Sequence, residues 1–278
     1  MKYRAAIAVA LFSVSFCFGQ IQPAVSSNPG SGNIDWSTRY VVATGIGAPN
    51  PDWPKASQRA GAIRAAQLYA LRNALEKIKS IYITSNSSAE FAMLNNDALE
   101  SRISGYLKGF DQVGDPKFYD DGSVEVTMRI PLDGYGGITD IMVGGSLSET
   151  PTIPKYESSS SSKGIIFTGL IVDCKGLNIK PALSPKILDE SGQEVFGSAY
   201  VSREWAIKNG ITGYAKEVSS ATKLVDRIGN NPGKIKALKA SGDNKTDIVI
   251  SNTDATDIRV ASTNLRFLSE CRVIFVID

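Results

Sequence analysis

Residues 41–78 read "VVATGIGAPNPDWPKASQRAGAIRAAQLYALRNALEKI", and this stretch decides the fold of the first half of the chain. A β-like run, "RYVVATGIG", ends in Gly45-Ile46-Gly47 and opens into a long helical pattern. The helix is predicted from about Lys55 to Lys79. Its apolar positions Ala56, Ala60, Ile63, Ala70, Leu71, Leu75 and Ile78 recur at steps of three and four. Asp52 is placed to cap it, and Pro54 is tolerated in a first turn.

A glycine-rich turn between strand and helix raises the question of a phosphate loop. A dinucleotide fingerprint needs a third glycine, and Asn50 stands there. A Walker loop needs Gly-Lys followed by Ser or Thr, which the sequence lacks. Pro49, Pro51 and Pro54 each delete a main-chain N–H, the donor that would hold a phosphate. Gly45, Gly47, Pro49 and Pro51 are therefore expected to shape a turn and to contact no ligand.

Downstream, "SIYIT" (80–84) reads as a strand. An amphipathic helix runs from about Glu90 to Lys108, carrying Phe91, Leu94, Ala98 and Leu107 and ending at Gly109. "PKFYDDGSVEVTMRIPL" (116–132) alternates on both sides of Asp120-Asp121-Gly122, the mark of a hairpin. The order β-α-β-α-β-β predicts a small sheet with helices on one face. Residues 144–163 hold a serine run, two prolines and no apolar period, and read as a linker that lets its flanks move independently. Beyond it, "GIIFTGLIVD" is a buried strand and "PKILDESGQEVFG" a hairpin turning at Ser191-Gly192. Helical "ATKLVDRI" stops at Gly229. Strand-like "KIKALKA" and "TDIVIS" come next, then a short helix capped by Thr253 or Asp254, and last "CRVIFVID". The expected fold class is α+β in two small domains, at 36–143 and 164–278, the second of short strands.

The N-terminus is read as an export signal over residues 1–19. A basic Met1-Lys2-Tyr3-Arg4 precedes an apolar run, "AAIAVALFSVSF", too short to span a bilayer. Cys17 and Gly19 then give a small-x-small cleavage site between Gly19 and Gln20. Lipidation of Cys17 competes with this reading, but Phe16 stands where the lipoprotein pattern wants a small residue. Residues 20–35 begin as a flexible lead-in rich in Pro, Gly and Ser.

The 278 residues contain no histidine, which removes Ser-His-Asp and Cys-His catalysis and every His-containing zinc site. A formal charge of +2 lacks the basic excess of a nucleic-acid binder. No cofactor and no metal are expected. Cys174 and Cys271 remain after cleavage and could pair in an oxidising compartment. They would be neighbours if their strands ran antiparallel and at opposite ends if parallel; separate buried thiols are the alternative. Lys55, Arg59, Arg64 and Arg72 on the first helix suit either an anionic surface or an ordinary solvated face. Asp120, Asp121, Asp189 and Glu190 sit at turns, where Asp is favoured for main-chain reasons. A carboxylate hydrolase would have to unite distant acids, such as Asp173 and Asp189, with one pKa raised. "TDATDIRVASTNLRFLSECRV" misses a peptidoglycan-binding pattern, because Asn264 lies one residue too far from Leu268-Ser269.

"ATGIGAPNP", "RAAQLYALRNALEKI", "ISGYLKGF" and "YDDGSVEVTMRIPL" together resemble the LPP20-like lipoprotein domain, over roughly residues 36–143. That resemblance implies a bacterial envelope protein, with flagellum-associated members, that has no known catalytic residues and acts by assembly. "TGLIVDCKGLNIKPALSPKILDESGQEVFG" looks like an extension found beside that domain. The functional expectation is a non-enzymatic exported protein of the periplasm or outer membrane. It would work by self-association or by contacts with other envelope proteins, with peripheral contact to the outer membrane as a further option. The alternative is a periplasmic binding module whose second domain holds a small ligand, glycan or peptide.

Overall fold

The computed structural model describes residues 32–149, 166–260 and 262–278. The expected signal, with Cys17, Gly19 and Gln20, lies outside them, as does most of the expected linker.

The first half runs β1 (Gly32–Asp35), β2 (Tyr40–Gly47), α1 (Lys55–Lys79), β3 (Tyr82–Thr84), β4 (Ser87–Ser88), α2 (Ala89–Leu94), α3 (Asp97–Leu107), β5 (Lys117–Phe118), β6 (Val124–Pro131) and α4 (Ile138–Val143). Four strands form an antiparallel sheet in the order β1-β2-β6-β5. The expected β-α-β-α-β-β order is present within this list, and the molecule is mixed α+β throughout. β2 pairs with β6 along its whole length, from Tyr40 opposite Pro131 to Gly47 opposite Val124.

The close approach of α1 to β2 explains the two glycines. On its buried face β2 presents Val41, Ala43, Gly45 and Gly47, a taper from branched side chain to none. A Cβ at Gly45 would lie 2.1 Å from the Ala66 carbonyl oxygen and 2.3 Å from the Ala70 nitrogen. One at Gly47 would lie 2.1 Å from the Ala62 oxygen. Main chain thus rests on main chain, and Asn73 donates its side-chain amide to Thr44 O at 2.7 Å. The helix answers with Ala62, Ala66, Ala70, Ala74 and Ile78, all fully buried. This corrects the predicted face: Ala56 and Ala60 are exposed, while Ile63, Leu71 and Leu75 are half-buried flanks. A helix pressed against glycine needs its smallest side chains inward, and counting apolar residues without regard to size misses that. Asp52 does not cap α1 either. Pro54 holds the N-cap position, and the Gln58 amide donates to Trp53 O at 2.9 Å.

The helix predicted over 90–108 is broken at Asn95–Asn96. Asn95 Nδ2 donates to Phe91 O, closing α2, and the Asn96 side chain accepts from Ala98 N, opening α3. The hairpin turns where predicted, with Gly122 at φ 81° and Asp121 Oδ1 accepting from Ser123 N.

The second half comprises β7 (Gly169–Asp173), β8 (Ile187–Leu188), β9 (Glu194–Phe196), α5 (Arg203–Asn209), β10 (Gly213–Ala215), α6 (Val218–Thr222), α7 (Val225–Ile228), β11 (Pro232–Lys236), β12 (Lys239–Ser241), β13 (Asp247–Val249), α8 (Asn252–Val260), α9 (Ser262–Ser269) and β14 (Val273–Val276). One sheet, β10-β14-β7-β11, is parallel throughout. Its central strands read "GLIVD" and "VIFV" and are buried along their length, as parallel strands covered on both faces require. The other sheet, β12-β13-β8-β9, is mixed. Ser251, ahead of α8, accepts from Asp254 N and so takes the capping role predicted for Thr253 or Asp254.

The parallel run of β7 and β14 settles the cysteines. Val273 stands opposite Leu170, which places Cys271 and Cys174 at opposite ends of the strand pair. Of the two alternatives the structure has separate thiols: both cysteines are free and buried, each pushed by burial up to about 12.

The two halves pack against each other. One hydrophobic cluster runs from Val41 and Ala66 through Tyr214 to Phe275. Leu183 N donates to Tyr82 O and Ser184 N to Ile83 O, so β3 leaves the first sheet's company and joins the second half by main-chain bonds. On another flank Gly134 N donates to Ile207 O, and Arg203 meets Asp140 at 2.8 Å.

Gly45→Ala is expected to lose about 3 kcal/mol, because the new methyl meets backbone on both sides. Gly105→Ala, in an exposed helix interior with open space beside it, gains about 0.5–1 kcal/mol. Urea denaturation of the two variants reads both signs. Asp189 supplies a pH test. Burial would raise its pKa, but hydrogen bonds from Ser191, Arg259 and Gln193 outweigh that and hold it at about 2. A carboxylate depressed in the folded state contributes stability above its unfolded pKa and loses it as pH falls. The stability gap between wild type and Asp189→Asn should thus be full above pH about 4 and shrink toward pH about 2, read from denaturation midpoints.

Candidate functional site

The seam between the halves carries the most unusual chemistry. Arg39 ends the turn after β1 with φ 60°, a left-handed backbone that a non-glycine residue adopts only at a cost. Its side chain is buried and forks onto Asp133, with Nε to Oδ2 and Nη2 to Oδ1 both 2.7 Å. Thr139 Oγ1 donates to the same carboxylate at 2.7 Å. Burial opposes the charge on Arg39, but the Asp133 carboxylate more than reverses this and raises the pKa. The guanidinium then crosses the seam, where Nη1 lies 3.4 Å from Thr212 O. Gly210, at φ 73°, makes room for it: a Cβ there would sit 2.4 Å from Arg39 Nη2.

Aromatic rings wall this arginine. Trp36 lies 5.6 Å beneath the guanidinium and meets Tyr214 edge to face at 5.4 Å. Tyr214 is buried, and its hydroxyl both donates to Ala182 O and accepts from Ala182 N. Burial drives its pKa far up, so the phenol stays neutral.

Beside this seat opens a cleft of about 230 Å³, lined by Ser37, Arg39, Gly213, Tyr214, Lys223, Leu224, Asp226 and Arg227. Arg227, on α7, donates from Nη1 to Asn209 O at 2.6 Å, from Nη2 to Gly210 O at 2.9 Å and from Nε to Val273 O at 3.2 Å. These partners are neutral carbonyls. Burial, with the like-charged Arg39 nearby, draws Arg227 down to about 10, and it remains a cation at neutral pH. Lys223, Leu224 and Asp226 stand at the exposed rim. The arrangement can orient and hold a small polar molecule.

The residues singled out from sequence lie elsewhere. Lys55, Arg59, Arg64 and Arg72 are all exposed on α1, and Arg59 stacks 3.9 Å over the Phe118 ring of the hairpin. Asp173 closes β7, whereas Asp189 stands in the turn after β8 and pairs with Arg259 at 2.7 Å. A pKa held at about 2 is the reverse of what a general acid needs. Among the described residues no group of three or more His, Cys, Asp or Glu could hold a metal. Arg39 and Arg227 escaped the sequence reading because both are lone arginines between unremarkable neighbours. The one local hint was the left-over polarity of "WSTRY" between two strands.

With this geometry in view, the class is a mixed α+β protein whose two halves close on a cationic cleft. Residues 169–278 match the family model of the second domain of Treponema pallidum Tp0624. Six of the eight cleft residues fall within that match, Ser37 and Arg39 being the exceptions. No curated protein matches the chain. The LPP20-like resemblance is overturned: the family match falls on the second half, and no LPP20-like model matches the first. The segments that carried it, Gly-x-Gly before an alanine-rich helix and an Asp-Asp-Gly hairpin, are what any helix packed tightly on a strand and any short β-turn require.

Asp133→Asn should cost about 3–5 kcal/mol, since it strands a buried guanidinium. Pairing it with Arg39→Met should recover a large part of that loss, as a double-mutant cycle in urea would show.

Proposed function

We propose that the protein is a non-enzymatic, exported component of a bacterial envelope that works through protein contacts, with its own copies or with another envelope protein. One observation carries this reading. Two helices packed on each other, α1 and α2, leave large apolar side chains in solvent: Leu68 at 54%, Tyr69 at 52%, Phe91 at 62% and Leu94 at 76% exposure. The buried face of α1 is taken by Ala62, Ala66, Ala70, Ala74 and Ile78, and that of α2 by Ala89 and Met93, so these four lie outside it. Large apolar groups on adjacent elements, rimmed here by Arg64 and Arg72, have the composition of a contact surface. The basic, apolar, small-x-small start of the chain supports export.

Light scattering of residues 20–278 over a concentration series tests the reading. A discrete oligomer is expected, and Leu68→Glu with Leu94→Glu should dissociate it while leaving the circular dichroism unchanged. A wild-type monomer at every concentration, with no envelope protein retained on the immobilised chain, would sink it. A second reading, a binding module, is favoured by the cleft and is developed next.

A further inference from the structure

We propose that the cleft between the halves binds a small oxyanion, a carboxylate or phosphate group, with Arg227 and Lys223 as its charge partners and Arg39 behind them. The inference rests on charge placed in a concave seam. Four formal charges line the cleft besides neutral groups: Arg39, Lys223 and Arg227 against Asp226. The Arg39 charge is already matched by the bidentate Asp133. Asp226, at the rim, is left against two further cations. The surplus is positive, and it sits in a concave seam where Gly213 and Tyr214 are buried and Ser37, Lys223, Leu224 and Asp226 form an exposed rim.

The donors fit this ligand. A guanidinium carries five N–H groups in a planar fork. The three hydrogen bonds from Arg227 go to carbonyls of Asn209, Gly210 and Val273, which orient the fork without cancelling its charge. Two N–H groups lie outside those bonds on a residue that lines the cleft. Pinning a guanidinium by main-chain oxygens before a ligand arrives lowers the ordering cost of binding. A charge-assisted N–H···O⁻ bond is stronger than one between neutral groups. Ser37 adds a hydroxyl that can donate to the same anion. A site of about 230 Å³ takes a small acid and excludes a folded partner.

The experiment titrates the full chain with inorganic phosphate and, separately, with succinate. Calorimetry is run at constant ionic strength, with sodium chloride as the control. Saturable one-to-one binding of at least one probe is expected, weakened tenfold or more by Lys223→Glu. That change is at an exposed position and should leave the unfolding midpoint in place. Lys55→Glu, past the far end of β2 from Arg39, should bind as wild type does. Preference for phosphate or for succinate assigns the group. No saturable heat with either probe, or equal weakening by Lys55→Glu and Lys223→Glu, would overturn the proposal. The result is independent of the oligomeric state, so a monomer that binds the anion, or an oligomer that does not, separates this inference from the contact reading.

Discussion

The whole arrangement turns on one buried cation. Arg39 lies where the first sheet, the β10 end of the parallel sheet and the loop after β6 converge. Its backbone is strained, its charge is out of water, and a glycine on the opposite half is hollowed to admit it. None of these three conditions is favourable alone. Together they hold because Asp133 meets the guanidinium fork to fork and Thr139 fixes the carboxylate. Remove that carboxylate and the seam contains an unmatched charge among Trp36, Tyr214 and apolar core, which the fold has no means to solvate.

The first half is arranged so that this cation reaches the seam. Because β2 tapers from Val41 to Gly47, α1 lies on its glycine end main chain to main chain, while Arg39 stands just before its other end. Helix and strand therefore act as one stiff plate, clamped further by Asn73 on Thr44 O. The alanine stripe that permits this leaves little room for large side chains beneath the helix. Leu68 and Tyr69 are consequently on its outer face, beside Arg64 and Arg72. The close approach of helix and strand rests on the small residues Gly45, Gly47, Ala62, Ala66 and Ala70.

How much of this was legible in the sequence follows from which forces are local. Element types were readable where periodicity is strong, as in α1, the Asp-Asp-Gly hairpin and the apolar strands β7 and β14. The α+β class followed from their order. Of the apolar positions expected on the inward face of α1, Ala70 and Ile78 are buried, whereas Ala62, Ala66 and Ala74 are set there by size, because the glycines of β2 admit only small side chains. The break at Asn95–Asn96 was missed because both asparagines act by side-chain bonds to their own backbone, which an apolar period does not register. The cysteines were left open with their geometry stated, and strand direction decided them. The cleft could not be read at all. Ser37 and Arg39 stand far along the chain from Lys223 and Arg227, and only the packing of the halves unites them.

That packing also bears on why the seam is charged. If the seam served only to join the halves, apolar residues of similar volume would join them at least as well, since a buried ion pair rarely outperforms a hydrophobic replacement. The chain has such residues in hand a few ångströms away, in Trp36 and Tyr214. It has instead placed two guanidiniums close together and neutralised one of them. Arg227, which lines the cleft, is held by three carbonyls, where simple structural bonding would be served by a neutral donor at far lower desolvation cost. An arginine oriented by neutral partners and bordered by a second cation is a receptor for negative charge before it is a brace. The seam is thus held by the pair that cancels, Arg39 and Asp133, and is left receptive by the cation that does not.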